Sequence, residues 1–311
     1  MSSNLGSSWK LRRVKQVGWL VGILLLTPLV TSAPRFRLSG MSVQAQTSAS
    51  AAEAELNRGL GFIQQGQVDP AISSFQQAIA LDPAMAAAHY NLGLAMRQKG
   101  QLQESATFFW QAIQADPEFS LAYANLGAAL LEGNNFDQAE DYLRRAIQLD
   151  PEMGMAYYNL GLVQKHQGAL RSALSSFQQA ISFSPNAPEP HYHSGLIYLQ
   201  QDQSAEAIQA FRRAIAILEP YPQAHYQLGV ALYDQGDAQA ALEAYQEAIK
   251  IFPSYADAYY GAGLALAQLG QSDKAVEMFQ GALNLYVAQR NSRWAANAQA
   301  QISRFQGGGE Q

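Results

Sequence analysis

The chain of 311 residues contains no cysteine. This absence excludes disulfide bonds, zinc sites built from thiolates, a cysteine nucleophile and lipid attachment at a cysteine. Charged residues are also few, at 14% of the chain, whereas hydrophobic residues make up 48%. The sequence therefore has ample apolar material to fold, and its composition does not indicate bulk disorder.

Basic residues are scarce beyond the first 45 positions. Residues 1–45 hold six basic side chains and no acidic one, and the remainder holds 14 basic against 25 acidic residues, a net charge of −11. Binding to nucleic-acid phosphates needs clustered lysine and arginine. The charge balance therefore disfavours nucleic acid as a partner.

The N-terminal segment has the layout of an export signal. A basic stretch, Lys10–Lys15, precedes an apolar run, Val17–Val30, and small residues follow. The run is shorter than the roughly 20 residues that span a membrane comfortably. We expect one of two outcomes for the N-terminal segment, residues 1–45. The chain is cleaved after Ala33 or Ala45, or the segment is retained and residues 17–33 anchor the protein to a membrane. Either outcome places the rest of the chain outside the cytoplasm, in a periplasmic, lumenal or extracellular space.

A 34-residue period dominates the sequence after residue 51. The tripeptide Asn-Leu-Gly at 91–93 recurs at 125–127 and 159–161. A fixed period of this length is typical of stacked helical units rather than of one closed core. Units that start at residues 52, 86, 120, 154, 188, 222 and 256 fill residues 52–287 without an insertion.

Four positions of the unit keep their residue type in all seven copies. The eighth is glycine, the twentieth is alanine or serine, the twenty-fourth is aromatic or leucine, and the twenty-seventh is alanine. The first half of each unit ends near glycine, asparagine or aspartate, which tolerate the left-handed geometry of a helix end. Three second halves end at Asp-Pro, where proline blocks a longer helix. The pattern predicts two closely packed helices per unit.

These residues resemble the tetratricopeptide repeat family over residues 52–287. The resemblance implies an all-α fold, a right-handed α-solenoid of seven helix-turn-helix repeats. Trp294, Ala298, Ile302 and Phe305 recur at helical spacing and predict a capping helix over residues 288–306. We expect residues 46–51 to be a linker and residues 307–311 a disordered tail.

The first helices of the repeats carry the predicted binding residues. Helical periodicity places the sixth and ninth positions opposite the packed side, facing the concave groove of the solenoid. The sixth position holds four consecutive asparagines, whose amides suit the backbone of an extended peptide. The ninth is mostly leucine and the fifth mostly tyrosine, which favours an apolar segment as the partner. The predicted partner-binding residues are Asn57, Asn91, Asn125, Asn159, His193, Gln227, Tyr90, Tyr158, Tyr192, Tyr226, Leu94, Leu162 and Leu196.

Two alternatives apply to this row of residues. Duplication of the repeat would copy asparagine without any binding role, and part of the apolar stripe would be buried between neighbouring first helices. Relatives that clamp a C-terminal carboxylate use asparagine at the ninth position and lysine at the fifth. This chain has neither, so the sequence disfavours a carboxylate clamp.

No catalytic triad, phosphate-binding loop or carboxylate pair stands outside the repeat pattern. We therefore predict a non-enzyme without cofactor or metal, an adaptor that binds a protein segment in its groove. The alternatives are a scaffold that associates with copies of itself and a subunit that delivers substrate to an enzyme or assembly complex. The sequence does not predict the oligomeric state.

Overall fold

The computed structural model describes the backbone of residues 43–306 and the side chains of residues 48–306. This part of the chain contains fifteen α-helices and no strand, so the predicted all-α solenoid fold is confirmed. None of these helices is both long and apolar enough to cross a membrane. The predicted apolar run at 17–30 and the predicted tail at 307–311 lie outside the described residues.

Most of the helices are 13 or 14 residues long. Six of them begin at the starts of 34-residue units, at residues 86, 120, 154, 188, 222 and 256. The helices are α1 (Val43–Gln64), α2 (Val68–Leu81), α3 (Ala86–Gln98), α4 (Leu102–Ala115), α5 (Ser120–Glu132), α6 (Phe136–Leu149), α7 (Gly154–His166), α8 (Leu170–Phe183), α9 (Pro188–Gln200), α10 (Ser204–Ile217), α11 (Pro222–Gln235), α12 (Ala238–Ile251), α13 (Ala256–Gln268), α14 (Ser272–Ala288) and α15 (Ser292–Gln306).

The two ends of the repeat region differ from the expected boundaries. Residues 46–51 are not a linker, because α1 begins at Val43 and runs through them. This stretch contains two alanines and neither glycine nor proline, so nothing in it stops the helix. At the other end α14 continues to Ala288, and α15 begins only after a turn in which Arg290 has a φ of 54°.

The chain divides into two compact units, one ending at Ala173 and the other beginning at Leu174, within α8. In the first unit α1 pairs with α2, α3 with α4 and α5 with α6, and each second helix also packs against the next first helix. The second unit repeats this arrangement with α9 and α10, α11 and α12, and α13 and α14, and α15 packs on α14.

The turns within the helix pairs use the left-handed backbone that the sequence predicts. Glycine occupies this position in five of the pairs, for example Gly100 with a φ of 76°. Asn134 and Asp202 adopt the same conformation with φ values of 60° and 58°. Glycine, asparagine and aspartate adopt this left-handed conformation at the lowest cost in conformational energy.

The three helix pairs α1/α2, α3/α4 and α5/α6 of the first unit, and the pairs α9/α10, α11/α12 and α13/α14 of the second, are each built around one contact between a glycine and a ring or leucine side chain. Phe109 is fully buried, and a Cβ atom added to Gly93 would lie 2.8 Å from its ring. The same contact would be 2.4 Å between Gly59 and Phe75, and 2.6 Å between Gly263 and Phe279. The glycine is therefore required because the first helix lies directly on the side chain of the second.

We predict opposite effects for two glycine substitutions in the first unit. Gly93→Ala should lower the free energy of unfolding by about 1–3 kcal/mol, because the buried ring of Phe109 has no room to move away. Gly61→Ala is the matched control, since nothing lies within 4 Å of the added atom. It should stabilise α1 by about 0.5–1 kcal/mol through helix propensity. Urea unfolding followed by circular dichroism measures both, and equal effects would contradict this account of the glycine.

Candidate partner-binding surface

The predicted partner-binding residues all lie on first helices, but the structure does not expose them equally. Asn125 is 4% exposed, His193 is 7% exposed and Tyr90 is 8% exposed. Burial of these three side chains in this structure disfavours direct contact with a partner, and their role in partner binding stays a prediction. Asn57 is exposed, and the others are half-buried: Asn91, Asn159, Gln227, Tyr158, Tyr192, Tyr226, Leu94, Leu162 and Leu196.

Two asparagines of the row use their amides within the fold. The Asn91 Nδ2 donates to the carbonyl oxygen of Ala87, one turn earlier in α3, at 2.8 Å. The Asn125 Nδ2 donates to the carbonyl oxygen of Leu121 at 2.9 Å and to the hydroxyl oxygen of Tyr90 at 3.2 Å. The second bond links α5 to the preceding repeat. Asparagine therefore has a structural role at these two positions, which neither interpretation of the sequence had included.

The tyrosines at the fifth position belong largely to the core. Tyr90 contacts Phe109 and Phe119, with ring centroids 5.7 Å and 4.9 Å away. Burial raises the pKa of Tyr90 to about 12, partly offset by the charge of Arg97 and the hydrogen bond from Asn125. This environment disfavours the ionised phenol and shows that the ring is withdrawn from water.

The same triangle of rings recurs in the second unit. Tyr192 lies 5.9 Å from Phe211 and 5.1 Å from Tyr221. Tyr226 has the corresponding contacts with Tyr245 at 5.8 Å and Tyr255 at 5.0 Å. In each triangle the partners stand at the twenty-fourth and thirty-fourth positions. The sequence signal for this contact is the aromatic residue at the thirty-fourth position of these three repeats, which the predicted binding surface does not include.

His193 is enclosed by aromatic rings rather than open to a groove. Its ring stacks on Phe177 with centroids 5.9 Å apart and meets the edge of Tyr192 at 5.2 Å. The histidine therefore fills core space at the sixth position of its repeat.

The row of polar residues ends at Gly261 for a steric reason. A Cβ atom at Gly261 would lie 2.6 Å from the Cζ atom of Tyr245. Tyr245 is fully buried, and the other repeats have phenylalanine or leucine at its position. The Tyr245 ring, in its present position, therefore occupies the space that a side chain at Gly261 would need.

The remaining surface of the first helices combines leucine with polar groups. Leu94, Leu162 and Leu196 are half-buried at the ninth position, and Asn91 keeps its amide oxygen as an acceptor. Arg97 pairs with Glu132 of the following first helix. Burial lowers the pKa of Lys165, one turn beyond Leu162. Such a surface can bind apolar and polar groups together, and the described residues include no cluster of three or more metal-ligating side chains.

Family comparisons agree with the repeat architecture. A TPR repeat model matches residues 59–100 and 195–236, and tetratricopeptide repeat models match residues 86–119, 124–188 and 226–293. The chain belongs to the tetratricopeptide repeat family. Tetratricopeptide repeats generally bind proteins or peptides and are not catalytic.

Several solved structures of the family resemble this chain, whereas no curated protein matches its sequence. YrrB, a TPR protein with an unusual peptide-binding site, is 26% identical with a TM-score of 0.53, and the match covers 62% of this chain and 97% of YrrB. MamA is 28% identical with a TM-score of 0.51, over 56% of this chain and 95% of MamA. The pilF protein of Pseudomonas aeruginosa is 20% identical with a TM-score of 0.62, over 68% and 96% of the two chains, and shows the shared fold alone.

We predict that Tyr90→Phe lowers the free energy of unfolding by about 1 kcal/mol, because the Asn125 amide loses a buried acceptor. Tyr123→Phe is the control, since the Tyr123 hydroxyl makes no hydrogen bond to the described residues. The control should change the unfolding free energy by less than about 0.5 kcal/mol. Urea unfolding compares the two variants, and an equal loss would show that the link between Tyr90 and Asn125 is not stabilising.

Proposed function

We propose that this chain is a non-catalytic interaction scaffold that binds an extended or helical protein segment along the first helices of its repeats, outside the cytoplasm. The observation that carries the proposal is the half-buried leucine at the ninth position of several first helices, Leu94, Leu162 and Leu196. Leu94 and Leu162 each lie three residues after a half-buried asparagine at the sixth position. A partner can therefore cover apolar surface and find hydrogen-bonding groups on the same helix face.

Apolar contacts must supply most of the affinity. With Asn125 committed to the fold, Asn91, Asn159 and Gln227 are the half-buried amides that remain in the row. Three hydrogen bonds at about 1 kcal/mol each fall short of millimolar affinity. Covering the leucines adds about 25 cal/mol for each Å² of apolar surface removed from water. The partner segment should accordingly be rich in apolar side chains.

The comparison with YrrB supports a peptide as the class of partner. YrrB is a TPR protein with an unusual peptide-binding site, and it matches this chain over nearly its whole length. The first helices of this chain lack the lysine and asparagine of carboxylate-clamping relatives. The proposal is therefore recognition of an internal apolar segment rather than of a free C-terminus.

Site-specific photo-crosslinking in the source cells tests this proposal. A photoreactive amino acid replaces Leu94 or Leu196 in the full chain, and the controls replace Gln76 or Gln178, which are exposed on second helices. We expect adducts with a second protein from the leucine positions and not from the controls. Equal crosslinking from the leucine positions and from the glutamine controls would contradict the proposal. An adduct of twice the mass of this chain would instead favour self-association.

The export proposal has its own experiment. Its support is the basic and apolar layout of the N-terminal segment. We expect the full chain to be reached by protease added outside the inner membrane, because the repeats lie on that side. N-terminal sequencing then distinguishes cleavage after Ala33 or Ala45 from an intact chain. Protection from the protease in cells with an intact inner membrane would place the repeats in the cytoplasm.

A further inference from the structure

The second helices of the first unit form a groove that the proposed function does not use. It lies between α4 and α6 over α5 and has a volume of about 230 Å³. Leu126 and Leu130 of α5 form its floor, and Ala106, Trp110 and Tyr142 form its walls. The groove is open to solvent, and its volume matches in scale one aromatic or branched aliphatic side chain laid against it.

The groove exists because two positions of the second repeat depart from the repeat pattern. Ala106 stands at the twenty-first position, where five other repeats have isoleucine, leucine or valine. Trp110 stands at the twenty-fifth position, where every other repeat has glutamine or arginine. The small residue leaves space that an aliphatic side chain fills elsewhere, and the tryptophan adds a wall beside it.

Trp110 carries an apolar surface into solvent. Its side chain is 47% exposed, although the repeat pattern has a polar residue there. Gln103 and Thr107, on the same face of α4, supply polar groups at the mouth of the groove. An apolar pocket rimmed by polar groups is typical of an interaction site.

The charges beside the groove favour a basic partner. Glu104 precedes Thr107 by three residues on α4, and Asp141 adjoins Tyr142 on α6, so helical geometry places both carboxylates at the flanks. Neither makes an ion pair with the described residues. Asp137, at the start of α6, instead accepts a hydrogen bond from the Gln167 side chain, with Nε2 and Oδ1 3.4 Å apart.

The remaining charges of α6 do not cancel these carboxylates. Arg144 is paired with Glu140, with Nη2 and Oε1 2.6 Å apart. Arg145 lies over the ring of Tyr123, 6.0 Å from its centroid. Glu104 and Asp141 are therefore left without an ion pair to the described residues beside the groove.

We propose that this groove docks a protein segment that presents one aromatic or branched aliphatic side chain next to lysine or arginine. The inserted side chain takes the space that isoleucine, leucine or valine fills in other repeats. The flanking basic groups meet Glu104 and Asp141. The site is separate from the first-helix surface, so a partner can occupy it whether or not that surface is used.

A library of random twelve-residue peptides displayed on phage tests the proposal, with the full chain as target. Each round includes counter-selection on the Ala106→Leu variant, which fills the groove with a residue type that other repeats carry. We expect the enriched peptides to combine a large apolar residue with adjacent lysine or arginine. Failure to enrich any peptide over the filled variant, or enrichment of acidic peptides, would overturn the proposal.

Binding of an enriched peptide to purified variants then locates the site. Fluorescence anisotropy should show at least a tenfold weaker affinity for Ala106→Leu and for Trp110→Gln, with unchanged circular dichroism. Joint Glu104→Gln and Asp141→Asn substitution should weaken binding about threefold to tenfold, and added salt should reduce this difference. Leu196→Gln, which changes the first-helix surface in the second unit, should leave the affinity unchanged, so failure here is distinguishable from failure of the proposed function.

Two further outcomes are informative about the occupant. Enriched peptides similar to Arg35-Phe36-Arg37 of this chain would support the site and indicate the chain itself as a source of the segment. Concentration-dependent association of the full chain that Ala106→Leu abolishes, without any enriched peptide, would overturn the proposed partner in favour of a second copy.

Discussion

The contact of a helix backbone with a large buried side chain sets the geometry of every described helix pair. A glycine such as Gly93 lets the first helix approach until its backbone touches the ring of Phe109. Any other residue would push the helices apart, and the small residues around the ring would lose their contacts. The turns, the helix lengths and the position of the outer surfaces all follow from this spacing.

Rings and hydrogen bonds then connect each pair to its neighbours. Tyr90 touches a ring of its own second helix and the aromatic residue that ends its repeat, and it accepts a hydrogen bond from Asn125 of the next. Within each unit, stability is therefore a sum of nearest-neighbour terms rather than the property of one core. The polar residues at the sixth position therefore help to connect the repeats, in addition to any contact that they make with a partner.

The repeat period predicted the helices well because glycine, alanine and aromatic positions each have one steric role. It predicted the binding surface less well. Asn125 and His193 look exposed by helical angle alone, yet a neighbouring repeat covers them. That cover comes from residues about one repeat away in sequence, which a single helical wheel does not include. The α1 extension was missed for a simpler reason, since alanine-rich polar sequence is compatible with linker and helix alike.

The pairing of Tyr245 with Gly261 gives the repeats an order. An asparagine in place of Gly261 would put its Cβ atom against the Tyr245 ring in its present position. Copies of the unit that look interchangeable in sequence are therefore not equivalent at this junction. A larger residue at Gly261 would require the Tyr245 ring to move or to be replaced as well.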